Sequence, residues 1–228
     1  MLRTDVHCHI LPGVDDGSRS RVDSLHIASG LARMGVERVH ATPHQFRFGN
    51  DFALAEIHAM VDELRGWIRE AGIELEVVPA AEYLFSERLL DAIAAGEELA
   101  TWPEPDGERT CILVELPIRQ PVVGVRRLAA ALQKRDIVPV MAHPERIVSA
   151  QMDRRRIMEW RDAGWAFQLD LLSLVGAYGR QARTLGRDLV RAGYVEVTGG
   201  DIHRPVQLGP LAKARQLFAE MSGMGATS

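Results

Sequence analysis

At 228 residues, 46% apolar and 25% charged, the chain has the composition of a globular protein with room for one sizeable core. Its formal net charge of −4 lacks the basic surplus that a nucleic-acid or membrane-surface protein requires. No apolar run approaches the ~20 residues of a bilayer span and no secretory signal pattern opens the chain, so no membrane insertion is expected and the expected compartment is the cytoplasm. The two cysteines, Cys8 and Cys111, make no disulfide framework, in keeping with a reducing interior.

Short β-rich runs alternate with helical stretches from end to end. Strands are predicted over 3–9, 36–42, 75–82, 111–116, 137–142, 165–171 and 195–198. Between them, Ile57, Val61, Leu64 and Ile68 make a helical stripe. Leu128 and Leu132, Ile157 and Trp160, and Leu185, Leu189 and Val190 make shorter ones. Gly35, Gly72, Gly96, Gly164 and Gly193 sit where helices should stop. Seven β-α repeats predict an α/β fold on a parallel sheet, and either an open doubly wound sheet or a closed barrel satisfies that count. A surface loop is predicted over 101–109, and the residues form one domain over 1–221 with a frayed tail at 222–228.

In parallel α/β folds chemistry collects at the carboxyl ends of the strands. The first predicted strand ends in His7 and His9, which share one side of an extended segment, and Asp16 follows in the next loop. Beyond the second strand stands His44, at the third Glu82, within the fourth Glu115, after the fifth His143, and after the seventh Asp201 and His203. Only the sixth brings no strong ligand, although Asp170 lies near its end. Five of the eight histidines fall at strand ends; His26, His40 and His58 read as helix-surface or strand-flank residues. One strand-end histidine can simply brace a loop. Glu115 is harder to dismiss, because a carboxylate inside an apolar strand is costly to bury unpaired. Five imidazoles and four carboxylates on one rim need cations to offset them, and at about four to six ligands per ion they suit two or three metals.

These motifs resemble those of the polymerase and histidinol phosphatase (PHP) superfamily, and within it the bacterial capsule- and exopolysaccharide-associated, manganese-dependent protein-tyrosine phosphatases. The matching stretches are DVHCHILPGVDD at 5–16, ATPH at 41–44, Ala81-Glu82, Val114-Glu115, AHPER at 142–146 and DIH at 201–203. The resemblance implies a distorted seven-stranded (β/α)7 barrel, a trinuclear centre and attack by a metal-activated hydroxide. It implies that His7, His9, Glu82 and Asp201 hold one metal, and that Glu82 bridges to a second held with Glu115 and His143. Asp16, His44 and His203 would hold the third. Mn²⁺ is the expected ion, with Fe, Co²⁺ and Zn²⁺ as alternatives. Arg146, Asp201 and His203 are the expected catalytic residues, and Arg146 falls where the family has a phosphate-contacting arginine. Where the family carries a second such arginine after the final motif, this chain has Arg204-Pro205, and Arg204 is the candidate for its place.

Phosphate esters need charge neutralisation and an in-line water, which a multi-metal site supplies, and guanidinium geometry suits phosphoryl oxygens. Arg146 could instead pair with Glu145, which reads as structural. Cysteine-based chemistry requires an arginine six residues after the thiolate; Val14 and Pro117 stand there, so Cys8 reads as a buried small hydrophobe. The expected partner is a phosphotyrosine protein, the tail of a bacterial tyrosine kinase. The alternatives are a small-molecule phosphatase of the histidinol-phosphate type and a non-catalytic metal-binding module.

Overall fold

The computed structural model describes residues 2–103, 109–120 and 123–223. Among these, ten strands follow in chain order: β1 (Thr4–Cys8), β2 (Arg38–Ala41), β3 (His44–Gln45), β4 (Glu76–Pro79), β5 (Glu82–Leu84), β6 (Trp102–Pro103), β7 (Thr110–Glu115), β8 (Ile137–Ala142), β9 (Ala166–Asp170) and β10 (Val197–Gly199). β1, β2 and β4 form one parallel sheet. A second runs β10-β9-β8-β7-β5-β3, parallel throughout, with β6 antiparallel on β7. The two are stitched together where Asp201 N–H donates to His7 O (2.8 Å) and His9 N–H to Ile202 O (3.0 Å). The result is an α/β fold whose curled, mostly parallel sheet makes a half-barrel.

Two predicted strands are interrupted. Thr42-Pro43 separates β2 from β3, and Ala80-Ala81 separates β4 from β5. Proline brings no N–H to a ladder. Pairing nevertheless crosses the breaks, with Ala80 N–H on Ala41 O and Glu82 N–H on Pro43 O, both at 3.1 Å. Each break comes directly before a ligand-type residue, His44 or Glu82.

The helices cover the outside. Ile57, Val61, Leu64 and Ile68 are the buried face of the helix Leu54–Glu70, as the stripe predicts. All five predicted stop glycines have positive φ. One apolar cluster packs β5, β7 and β8 against helix residues such as Leu89, Leu128, Trp160 and Leu185. A second joins β1, β2 and β4 to Ile27, Leu31, Leu64, Leu211 and Phe218. Ala80, Cys111, Leu113, Val138 and Val140, with Trp102 of β6, form a smaller third cluster.

Three expectations are corrected. His40 is no flank residue: it is 3% exposed within β2, edge-on to Trp102, and burial followed by the nearby Arg38 charge pushes it down to about 3. Trp102-Pro103 belongs to a strand rather than a surface loop, because Trp102 finds apolar cover; residues 104–108 of that predicted loop lie outside the described residues. Ser222 caps the last helix, Leu208–Met221, by donating its hydroxyl to Phe218 O, and 224–228 of the predicted tail also lie outside.

Gly199 is where β10 comes closest to β1. A Cβ there would stand 2.5 Å from His7 Cβ and 2.9 Å from its backbone nitrogen. Gly199→Ala is therefore expected to destabilise the fold by about 1–3 kcal/mol, as overpacking does, and to weaken metal uptake by displacing His7. Urea unfolding and metal titration of that variant check both.

Candidate metal centre

The strand ends converge. His7 closes in from β1 with His9 just beyond it, His44 opens β3, Glu82 opens β5, and Glu115 ends β7. His143 follows β8, and Asp201 and His203 follow β10. All nine sequence-predicted ligand residues come together, in four overlapping sets whose donor atoms lie within 4.8 Å of one another: His9, Asp16, His44 and His203; His7, His9 and Asp201; His7, Glu82 and His143; His44, Glu82 and Glu115. Glu82 stands at the middle. Its Oε1 is 3.4 Å from His7 Nε2 and 3.2 Å from His143 Nε2, and its Oε2 is 3.4 Å from His9 Nε2 and 2.8 Å from His44 Nδ1. Asp16, half-exposed on the rim, faces His44 and His203 at 3.4 and 3.3 Å.

Hydrogen bonds behind the site orient the imidazoles. Gln168 Oε1 accepts the His143 backbone N–H (3.1 Å), so it is the amide oxygen, and His7 Nδ1 donates to it at 3.0 Å. Asp15 Oδ2 accepts the His44 backbone N–H (3.0 Å) and His9 Nδ1–H (2.8 Å). With both Nδ1 atoms committed as donors, the Nε2 atoms of His7 and His9 face each other at 3.2 Å. Each is also 3.2 Å from Asp201 Oδ1, a buried atom with no hydrogen-bond partner. Neutral imidazoles would set two lone pairs against each other and against a carboxylate. A cation at their meeting point removes that conflict, so the donors fit a metal.

The charges carry the same message. Burial would push Glu82 and Asp201 up, but His7 and the other imidazoles hold both carboxyls well below their usual range. Burial would pull His7 down, yet Glu82 and Asp201 raise it to about 9. Burial pushes Glu115 up, reinforced by the charge of Glu82. Asp15, despite its burial, is held down at about 2 by His9 and two backbone N–H groups. His143 is pushed down to about 4 by burial and the Arg146 charge. His143 and Asp201 also adopt left-handed backbone, φ 34 and 45, a strain of about 1–3 kcal/mol each that clusters at functional sites.

Two arginines flank the cluster. Arg146 Nη1 lies 2.5 Å from Asp201 and 3.4 Å from Asp170, with its guanidinium 4.1 Å over the Tyr178 ring. It does not pair with Glu145, which is fully buried and accepts the Ser173 hydroxyl (2.7 Å) and the Asp170 N–H (3.3 Å). Arg47, which sequence reasoning missed, pairs with Glu115. Arg204 instead donates to the backbone carbonyls of Gly17 and of His203, the latter at 2.8 Å. Cys8 is fully buried and its Sγ points to Ile202 O at 3.7 Å. Asp15 and Gln168 were also missed as orienting groups. For Gln168 the signal was present, since an amide inside the apolar run Trp165–Leu169 is costly to bury without hydrogen-bond partners, though less so than a carboxylate such as Glu115.

Gln168→Met removes the acceptor that fixes His7. Metal affinity is expected to fall about 10- to 100-fold with the fold retained, as read by titration calorimetry. Because His7 holds a proton up to about 9 until a metal displaces it, affinity should rise as pH climbs towards that value. A pH-independent affinity would contradict the assignment of His7 as a ligand.

Comparison with known proteins agrees with this geometry. The chain is 28% identical to the tyrosine-protein phosphatase YwqE of Bacillus subtilis over 199 residues, 87% of this chain and 76% of that protein. It is 26% identical to the putative tyrosine-protein phosphatase CapC of Staphylococcus aureus over 221 residues, 94% of this chain and 84% of the relative. Its backbone matches, at TM-score 0.85 and 26% identity, a chain from the crystal structures of YwqE and of CpsB from Streptococcus pneumoniae, described as metal-dependent tyrosine phosphatases; the match covers 95% of this chain and 86% of that one. A lactonase, Lmo2620 of Listeria monocytogenes, shares the fold alone, at TM-score 0.54 and 12% identity, over 98% of this chain and 88% of its own. The pattern of one family, described as capsular polysaccharide synthesis, CpsB/CapC, matches residues 3–225, so the resemblance read from the motifs holds and the chain belongs to the CpsB/CapC family.

Proposed function

We propose that this protein is a metal-dependent protein-tyrosine phosphatase. The observation that carries the reading is the nine-residue cluster, whose Glu115 borders a cleft of about 790 Å³ lined also by Arg47, Arg146 and Tyr178 and by the apolar Leu84, Pro117, Ile118 and Val148. One end of that cleft suits a phosphoryl group and its walls suit an aromatic ring. The relatives named tyrosine phosphatases support the same substrate class.

The ligand assignment remains that of the motif resemblance: His7, His9, Glu82 and Asp201 for one ion, Glu82, Glu115 and His143 for a second, and Asp16, His44 and His203 for a third. Two to three divalent ions are proposed, with Mn²⁺ first as the motif resemblance implies; imidazole and carboxylate donors without thiolate also suit Fe, Co²⁺ and Zn²⁺. Such ions supply an acidified water as nucleophile and clamp the phosphoryl oxygens. The chain's own groups do the rest. Arg146 binds equatorial oxygens, held in place by Asp170 and the Tyr178 ring. Arg204, the candidate for a further phosphate contact, would have to leave the backbone carbonyls of Gly17 and His203 to reach a phosphoryl group. Asp201 and His203 hold the reacting end, His203 turning Nε2 toward Asp16 because its Nδ1–H donates to Asp201 O at 2.9 Å. A phenolate leaving group, with phenol pKa ≈ 10, departs without strong general-acid help.

The fold is a distorted seven-stranded (β/α)7 barrel if β2–β3 and β4–β5 count as interrupted single strands and the Cys8–Ile202 bridge closes the ring. Residues 1–221 form one catalytic domain. The substrate is the tail of a bacterial tyrosine kinase controlling exopolysaccharide or capsule export, in the cytoplasm. Among the described residues no helix is long and apolar enough to cross a membrane.

The Mn²⁺-loaded protein is expected to hydrolyse phosphotyrosine peptides faster than histidinol phosphate. Equal or better turnover of histidinol phosphate would move the assignment to the small-molecule class, and absence of bound metal after loading would remove the site. His143→Ala and Asp201→Ala are expected to lose about 100-fold or more of the activity while keeping native circular dichroism.

A further inference from the structure

The cluster is bracketed by two ion pairs of the same kind. On one side Arg146 sits on Asp201; on the other Arg47 sits on Glu115. Both carboxylates belong to sets that could hold a metal ion, and both guanidinium groups line the same cleft. Each arginine therefore occupies charge that a bound cation would take over. The sequence pattern accounts for Arg146 alone.

Arg47 is placed with care. It lies in a tight turn in which Phe46, Phe48 and Gly49 have φ of 62, 56 and 82. The turn is closed by Phe46 N–H on Asn50 O (2.8 Å) and pinned by Asn50 Nδ2, which donates to Val14 O (3.1 Å) and His44 O (3.2 Å). The Arg47 guanidinium rests 4.7 Å over the Phe48 ring, and that ring meets His44 edge-on at 5.4 Å. Left-handed backbone at two phenylalanines is strained, and the strain is located where it aims an arginine at the rim. The guanidinium of Arg204, in contrast, is taken up by two backbone carbonyls.

We propose that Arg47 is a phosphoryl-binding residue of the site: when a metal claims Glu115, the Arg47 guanidinium transfers to the non-bridging oxygens of the substrate, opposite Arg146. The pairing with Glu115 then keeps the arginine in the cleft until metal arrives. This couples phosphate affinity to metal occupancy through one side chain. The inference rests on the phosphatase reading for its biological meaning, but phosphate binding tests it without turnover.

The experiment is calorimetric titration of inorganic phosphate into wild type, Arg47→Gln and Arg47→Lys, at saturating Mn²⁺ and again after chelation. At saturating Mn²⁺, Arg47→Gln is expected to weaken phosphate about tenfold or more. Arg47→Lys should fall between the two, since an ammonium keeps the charge without the fork. After chelation, wild type and Arg47→Gln should bind phosphate alike. In steady state the loss should appear in KM as well as kcat for a phosphotyrosine peptide. Unchanged phosphate affinity at saturating Mn²⁺ in both variants would overturn the proposal, as would an equal loss with and without metal. If Arg47→Gln does not fold, Arg47→Lys alone decides by the same criteria. Wild type that binds phosphate but leaves phosphotyrosine intact would refute the phosphatase reading and leave Arg47 standing.

Discussion

Glu82 and Asp201 are buried carboxylates surrounded by imidazoles, and the electrostatics of that crowding is the constraint on which the rest of the structure depends. Four histidines approach Glu82 within 3.4 Å, and two of them turn their Nε2 atoms onto Asp201 Oδ1. Charges taken out of water at such spacing are unfavourable unless positive charge is returned to them. Without metal that charge can come only from protonated imidazoles and the two flanking arginines. With metal it comes from the ions, and the protons and guanidinium groups are released for other work.

The scaffold is shaped to hold this arrangement. β1 and β10 approach so closely that Gly199 has no room for a side chain, a Cβ on Gly200 would crowd Ile202 and Asp5, and buried Asp5 ties the segments by accepting the N–H groups of His7 (3.1 Å) and Gly200 (3.0 Å). The left-handed turns at His143 and Asp201 are held by partners on neighbouring strands, Gln168 Oε1 for the first and His7 O for the second. Gln168 thus serves two strands with one oxygen, linking the His143 backbone to the His7 ring. Rigid acceptors behind the ligands keep the imidazoles aimed where no ordinary hydrogen bond would leave them.

Around this rigid centre the rim is built for an anionic, partly apolar partner. Arg146 and Arg47 stand over opposite carboxylates, and Tyr178, Leu84, Ile118 and Val148 line the cleft between. A net charge of −4 over the whole chain hides this local concentration of cations. Site electrostatics, not overall charge, sets what the cleft admits.

Much of the centre was legible in the sequence because its ligands sit at strand ends, and strand ends can be read from alternation and apolar runs. His7, His9, His44, Glu82, Glu115, His143, Asp201 and His203 all come from such positions, so local pattern alone placed them on one rim. What the pattern could not carry was pairing across the fold. That His40 is buried against Trp102, that Gln168 fixes His7, that Asp15 rather than Asp16 braces His9, and that Arg47 lies on Glu115 are contacts between residues far apart in sequence or resolved only by side-chain direction. By itself the sequence determined the ligand types, their order and the α/β alternation, since these follow from local chemistry and period. Only the tertiary structure decided which imidazole nitrogen faces the centre and which arginines guard it, because both depend on side-chain direction and on contacts, such as Gln168 with His7 and Arg47 with Glu115, that form only when the chain has folded.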